Sequence, residues 1–115
     1  MDMENEVMEL ITNAGYARSL VFQAIRYARE EDNYLLAEEF MQQAQEALSG
    51  AHRVQTKLIE LDEGSGKIPV HLVMVHAQDH LMNAMMLLEM GREIIALHEK
   101  MGRLSVSAAV QASPL

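Results

Sequence analysis

The sequence predicts an all-α chain folded as an antiparallel three-helix bundle. Three observations lead there. Apolar residues recur at three- and four-residue steps over three long stretches, which is the helical period. One unmistakable loop, Glu63-Gly64-Ser65-Gly66-Lys67, separates the second stretch from the third. No stretch alternates apolar and polar residues between turn signals, as a strand would. The 115 residues suffice for one domain with one core. Half of them are apolar, so the core needs neither a disulfide nor a structural metal.

The first helix is expected from about Glu4 to Glu30. Val7, Leu10, Ile11, Ala14, Ala17, Val21, Ala24, Ile25 and Ala28 form its apolar face. Gly15 interrupts this stretch and marks a bend or a close helix contact. Asp32 or Asn33 then caps the second helix. Its stripe runs through Leu35, Leu36, Phe40, Ala44, Ala47, Leu48, Ala51, Val54, Leu58 and Leu61 to about Asp62. Pro69 suits the first turn of the third helix, where its missing N–H leaves nothing unpaired. That helix is expected to run to about Met101. Residues 1–102 thus make the domain, and the small residues of 103–115 read as a flexible tail. Helices of this length joined by short loops pack as an antiparallel bundle.

Composition narrows the function. The chain has no cysteine, which excludes thiolate metal sites and cysteine nucleophiles and fits a reducing compartment. The formal net charge is -8 and the nine Lys and Arg are scattered, so no basic patch exists for nucleic acid. No apolar run approaches the ~20 residues that cross a bilayer. The acidic stretch from Met1 to Glu9 shows no charged-then-apolar leader, and the expected location is the cytoplasm. The ten methionines fit either an adaptable core or an adaptable contact surface.

The third helix carries the anomaly. At about 100° per residue, Leu72, Met86, Leu87, Met90, Ile94 and Leu97 share one stripe, and so do His76, Asp79, His80 and Asn83. Four polar side chains stand where apolar ones are expected. The opposite side is apolar too, with Met74, Ala77, Leu81, Ala84, Met85, Leu88 and Ile95. A helix apolar on two sides needs two partners. The other helices of the chain can cover one side. A second copy of the protein is the simplest cover for the other, which places the polar cluster at or beside a subunit contact.

Three chemistries are open to that cluster. His76 and His80 are four apart and can face one point, so with Asp79 they can bind a transition metal in a non-catalytic helical oligomer. An imidazole can act as nucleophile, with Asp79, His80 and Asn83 orienting it or binding what it acquires. A plain interaction bundle with a buried polar network is the third reading. The Glu-x-x-His element of di-iron bundles, the His-Glu-x-x-His protease motif and the Gly-rich phosphate loop are all absent. His52, His71 and His98 lie off the stripe or near helix ends and read as structural.

The run Val73-Met-Val-His-Ala-Gln-Asp-His-Leu-Met82 resembles the IIA component of the lactose/cellobiose/chitobiose class of the bacterial phosphoenolpyruvate-dependent sugar phosphotransferase system. Asn13-Ala-Gly-Tyr-Ala-Arg-Ser-Leu20 and Ala51-His-Arg-Val-Gln-Thr-Lys-Leu-Ile-Glu60 are similar to the first and second helices of that family. The likeness runs from about Glu4 to Met101. It implies a homotrimer, a nine-helix bundle. It implies that His76 accepts a phosphoryl group from phospho-HPr as tele-phosphohistidine and passes it to a cysteine of the IIB component. It implies that three Asp79 hold one Mg2+ at the trimer axis, and that His80 and Gln78 lie near the phosphorylation site. Contact with the membrane is then only indirect, through the IIB and IIC components. By helical period Gln78 lies about 160° from His76. It cannot reach the same phosphate from the same helix, so any part it takes is across a subunit boundary.

Overall fold

The computed structural model describes residues 3–112. It contains α1 (Glu4–Glu31), α2 (Tyr34–Asp62) and α3 (Leu72–Ala112), with no strand among the described residues. The predicted all-α three-helix architecture is what forms. The chain runs up, down and up as a rod of 74 × 20 × 19 Å. α1 packs against both other helices more extensively than those pack against each other.

The core follows the apolar faces. Val7, Leu10, Ala14, Ala17, Val21, Ala24 and Ala28 of α1 are buried against Ala37, Met41, Ala44, Leu48 and Ala51 of α2 and Met74, Ala77, Leu81, Ala84 and Leu88 of α3. Many of these are alanines, which bring helix backbones close and leave the larger Leu10, Met41, Val21 and Leu81 to fill the space between. Leu35 and Leu61, expected on the α2 stripe, are exposed near the helix ends. Tyr27 and Phe40 stack at 5.4 Å between α1 and α2.

Both turns are made by identifiable groups. Asp32 closes α1 with a left-handed backbone, φ 51°. Asn33 caps α2, its side chain accepting from the Leu36 N–H at 3.1 Å. Of the two expected caps, Asn33 is therefore the one that serves α2. Asn33→Ala is expected to lower stability by ~1 kcal/mol, read from the thermal midpoint. Tyr34 Oη donates to Asp32 Oδ1 at 3.2 Å. Partial burial and then that carboxylate push the phenol's pKa up. In the second turn the Asp62 carboxylate accepts from the backbone N–H of Ile68 at 2.9 Å and of Gly66 at 3.4 Å. Gly64 and Gly66 supply positive φ there.

Three expectations need correction. Pro69 is not in the first turn of α3, which begins at Leu72. The His71 carbonyl accepts from the N–H groups of Met74 and Val75, so the helix is entered after the proline. Nor does α3 stop near Met101. Arg103 to Ala112 continue it because Ser, Ala and Val stay helical where no proline or paired glycine intervenes. This overhang passes the α1–α2 turn, and residues 103–111 are all exposed. Residues 113–115 of the expected tail lie outside the described residues.

The third correction concerns glycine. Gly15 admits no close neighbour, since nothing lies within 4 Å of where its Cβ would be, and α1 continues through it as one α-helix. The close approach is at Gly91, where a Cβ would lie 2.6 Å from Val21 Cγ1 and 3.4 Å from Met41 Cε. Val21 is buried and β-branched, so it has nowhere to turn. The two alanine substitutions should therefore have opposite signs. Gly15→Ala gains helix propensity worth up to ~1 kcal/mol. Gly91→Ala gains the same amount but incurs an overpacking cost of about 1–3 kcal/mol, so its melting midpoint falls.

Candidate functional site

The motif Val73 to Met82 occupies the first turns of α3, and its helical phase sorts it into faces. Met74, Ala77 and Leu81 point into the core. This leaves His76 and Asp79 exposed and His80 half-buried. The two imidazoles meet edge to face, with centroids 4.4 Å apart. His80 Nε2 lies 3.0 Å from His76 Nε2. At that distance one nitrogen donates and the other accepts.

The contact defines what the pair can do. If the shared proton sits on His80, the His76 ring carries its own proton on Nδ1 and offers the Nε2 lone pair as an acceptor. That is the tautomer a nucleophilic Nε2 requires. His80 is the better anchored ring. It lies in a concavity between α1 and α3, lined by Ala14, Arg18 and Phe22 on one side and Asp79, Asn83 and Leu87 on the other. The Arg18 guanidinium rests 5.7 Å from the Phe22 ring centroid. A cation therefore lines the same concavity as His80, where an anion would be attracted.

Asp79 touches two spaces. It lines the concavity with His80, and it borders an open groove with Leu72, Val73, Val75 and His76. It makes no hydrogen bond or ion pair with any described residue. Asn83 is exposed at the rim. Gln78 stands apart, as its helical phase requires. It is half-buried on the α2 side and accepts from Gln55 Nε2. His52, His71 and His98 lie away from the cluster. Among the described residues no three His, Asp or Glu side chains converge as metal ligands, so His76, Asp79 and His80 form no metal site within one chain.

Two participants were not legible in the sequence as site residues. Arg18 comes from α1, and Gln55 contacts Gln78 from α2. Neither has a spacing signal, because each contact is made between helices. Arg18 does fall in the run Asn13 to Leu20, which carried the family likeness.

The second apolar side of α3 is left uncovered by the described residues of its own chain. Leu72, Val75, Met82, Met86, Met90, Leu97, Met101 and Leu104 are each more than half exposed. Asp79 sits among them. Asp79, Met90 and Met101 are spaced by eleven residues, and so are Met86, Leu97 and Ala108. An eleven-residue repeat, ~3.67 residues per turn, nearly matches a straight helix, so the stripe runs almost parallel to the axis.

Comparison with known proteins identifies the scaffold. The family model described as "PTS system, Lactose/Cellobiose specific IIA subunit" matches residues 5–99. The N,N'-diacetylchitobiose-specific EIIA component of the phosphotransferase system of Escherichia coli K12 is 51% identical over 100 residues, covering 87% of this chain and 85% of that protein. The lichenan-specific IIA component of Bacillus subtilis is 45% identical over 102 residues, 86% of this chain and 89% of that protein. Among solved structures, the cellobiose-specific enzyme IIA of Bacillus anthracis superposes with a TM-score of 0.84 at 36% identity, covering 90% of this chain and 94% of that one. The IIA(Chitobiose) chain solved in complex with HPr from Escherichia coli gives 0.77 at 48% identity, covering 89% and 98%. The histidine pair therefore sits on a scaffold shared over most of its length, and the chain belongs to the lactose/cellobiose-specific IIA family of the phosphotransferase system.

Proposed function

We propose that this protein is the phosphocarrier of a disaccharide-specific phosphotransferase system, with His76 as the residue that carries the phosphoryl group. The observation that carries the reading is the His76–His80 contact, an exposed imidazole whose Nε2 faces an anchored Nε2 at 3.0 Å. Nε2 has a single in-plane lone pair, so His80 first redirects its N–H from His76 Nε2 to an oxygen of the incoming phosphoryl group, which frees that pair for the attack. The His76 Nε2 lone pair then attacks phosphorus while the bond from phosphorus to the donor nitrogen of phospho-HPr breaks. Arg18 adds positive charge beside the group. In the second step the phosphorus–nitrogen bond at His76 breaks and a phosphorus–sulfur bond forms on a cysteine of the IIB component, leaving His76 as it began. Positioning and charge stabilisation of this kind are the main protein contributions to phosphoryl transfer. The exposed Met82 and Met86 beside His76 suit a surface that meets two partners in turn. The work is cytoplasmic; no described helix is long and apolar enough to cross a membrane. The transported sugar is of the lactose, cellobiose or chitobiose type and is bound by the membrane component.

The working unit is a homotrimer, supported by the uncovered α3 stripe and its straight eleven-residue register. Threefold packing along that stripe sets three Asp79 together. Their carboxylates fit a hard divalent cation, since each supplies oxygen ligands and has no partner among the described residues of its own chain. Mg2+, when bound there, would offset the repulsion of the three charges. The reading is tested by incubating the protein with phosphoenolpyruvate, enzyme I and HPr. An acid-labile, base-stable phosphoryl adduct on the α3 peptide is the expected result. Absence of any adduct would overturn the reading.

A further inference from the structure

Gln78 is held from its own chain by one residue. Gln55 of α2 donates from Nε2 to Gln78 Oε1. The same Gln55 nitrogen lies 4.0 Å from Met82 Sδ, a weak acceptor. A glutamine amide has a donor end and an acceptor end of nearly equal shape, and its hydrogen bonds decide which faces outward. Turning Gln78 over would set its NH2 against the NH2 of Gln55. Turning Gln55 over would place its carbonyl against the Met82 sulfur. Either single flip breaks the bond between the glutamines; turning both over keeps a bond between them and loses the contact of Gln55 with the Met82 sulfur, so it is Met82 that selects this arrangement. In it the Gln78 carbonyl is occupied and its NH2 donates to no described residue.

An ionised phosphoryl group presents only acceptor oxygens. The NH2 end of Gln78 can help it and the carbonyl end would repel it. We infer that Gln55 is a positioning residue for phosphoryl transfer: it latches the Gln78 carbonyl toward α2, and so keeps the Gln78 NH2 available to the phosphoryl group on the partner subunit's His76. The inference rests on the phosphocarrier reading and on the helical phase of Gln78, which lets it reach a phosphoryl group only across a subunit boundary.

The test is a double-mutant cycle in the full-length protein, read as the rate of phosphoryl transfer from phospho-HPr and the lifetime of the phosphohistidine by 31P NMR. Gln78→Ala should slow transfer about tenfold, the scale of one hydrogen bond to a charged group. Gln55→Glu offers only acceptors, turns the Gln78 NH2 inward and should slow transfer at least as much. In a Gln78→Ala background, Gln55→Glu should then add nothing, because the residue it acts through is gone. Gln55→Leu, which removes the latch without adding charge, should fall between wild type and Gln55→Glu. If the two losses multiply, Gln55 acts through its charge alone and the inference fails. Gln55 variants with wild-type transfer and only a lower melting temperature would overturn it as a structural pair. Should Gln78→Ala itself transfer at the wild-type rate while His76 is still phosphorylated, the cross-subunit role of Gln78 is wrong, and that is distinguishable from the failure of Gln55.

Discussion

His76→Ala should accept no phosphoryl group at all, and His80→Ala should accept one slowly. The two rings are not equivalent, although either nitrogen of the 3.0 Å contact can formally attack. His76 is exposed on the outer side of α3, while His80 is half-buried in the concavity formed with α1. A bulky phospho-donor can bring its phosphorus in line with the His76 Nε2 from solvent. It cannot do so at His80 without entering the wall formed by Ala14 and Phe22. His80 is suited instead to donate a proton-bearing nitrogen to the incoming oxygens. Loss of one charge-assisted hydrogen bond costs about 1.5–3 kcal/mol, so His80→Ala should slow transfer some ten- to hundredfold. His80→Asn, which still presents a donor, should recover part of that loss. Mass spectrometry of the α3 peptide after incubation with enzyme I, HPr and phosphoenolpyruvate reads both variants. A phosphoryl group retained by His76→Ala would move the nucleophile to His80 and reverse the roles.

The site was legible in the sequence to the extent that it lies on one helix. His76, Asp79, His80 and Asn83 stand out because they interrupt an apolar stripe whose period is local. The same period assigned Met74, Ala77, Leu81, Ala84 and Leu88 to the inner face and left Met86, Met90 and Leu97 outside, as the structure has them. What the period does not carry is the neighbour. The stripe looked like one cluster, yet one edge packs on α1 beside Arg18 and the other stays open. Glycine shows the same limit. Gly15 and Gly91 are alike as letters, and only the position of Val21 on another helix makes one tight and the other free. The end of α3 was misjudged for a different reason. Small residues without large apolar partners were read as frayed, but extending an already nucleated helix adds one backbone hydrogen bond per residue and needs no tertiary partner, and no proline interrupts the run to Ala112.

Chelation should loosen the assembly of the wild-type protein, and Asp79→Leu should abolish that sensitivity while tightening the trimer. Asp79 is the one charge among Leu72, Val75, Met82, Met86 and Met90 on the uncovered stripe of α3. Brought to a threefold axis, three carboxylates ~5 Å apart repel by about 3 kcal/mol per pair at an effective dielectric of ~20. A divalent cation with oxygen ligands offsets this, and at 100 times its dissociation constant such a ligand adds ~2.7 kcal/mol to stability. EDTA should remove that contribution, visible as a lower melting midpoint and a shift toward smaller species in sedimentation. Leucine at the same position removes the repulsion and extends the apolar stripe by two turns toward Leu72, so the variant needs no cation. Replacing buried charges by apolar residues of similar volume is often stabilising for this reason. On the proposed threefold packing Asp79 meets its copies and His76 lies beside it, so the Asp79→Leu protein should still take up a phosphoryl group. A variant that dissociates, or a wild type indifferent to EDTA, would remove Asp79 from the axis and require a different face of α3 to meet its copies.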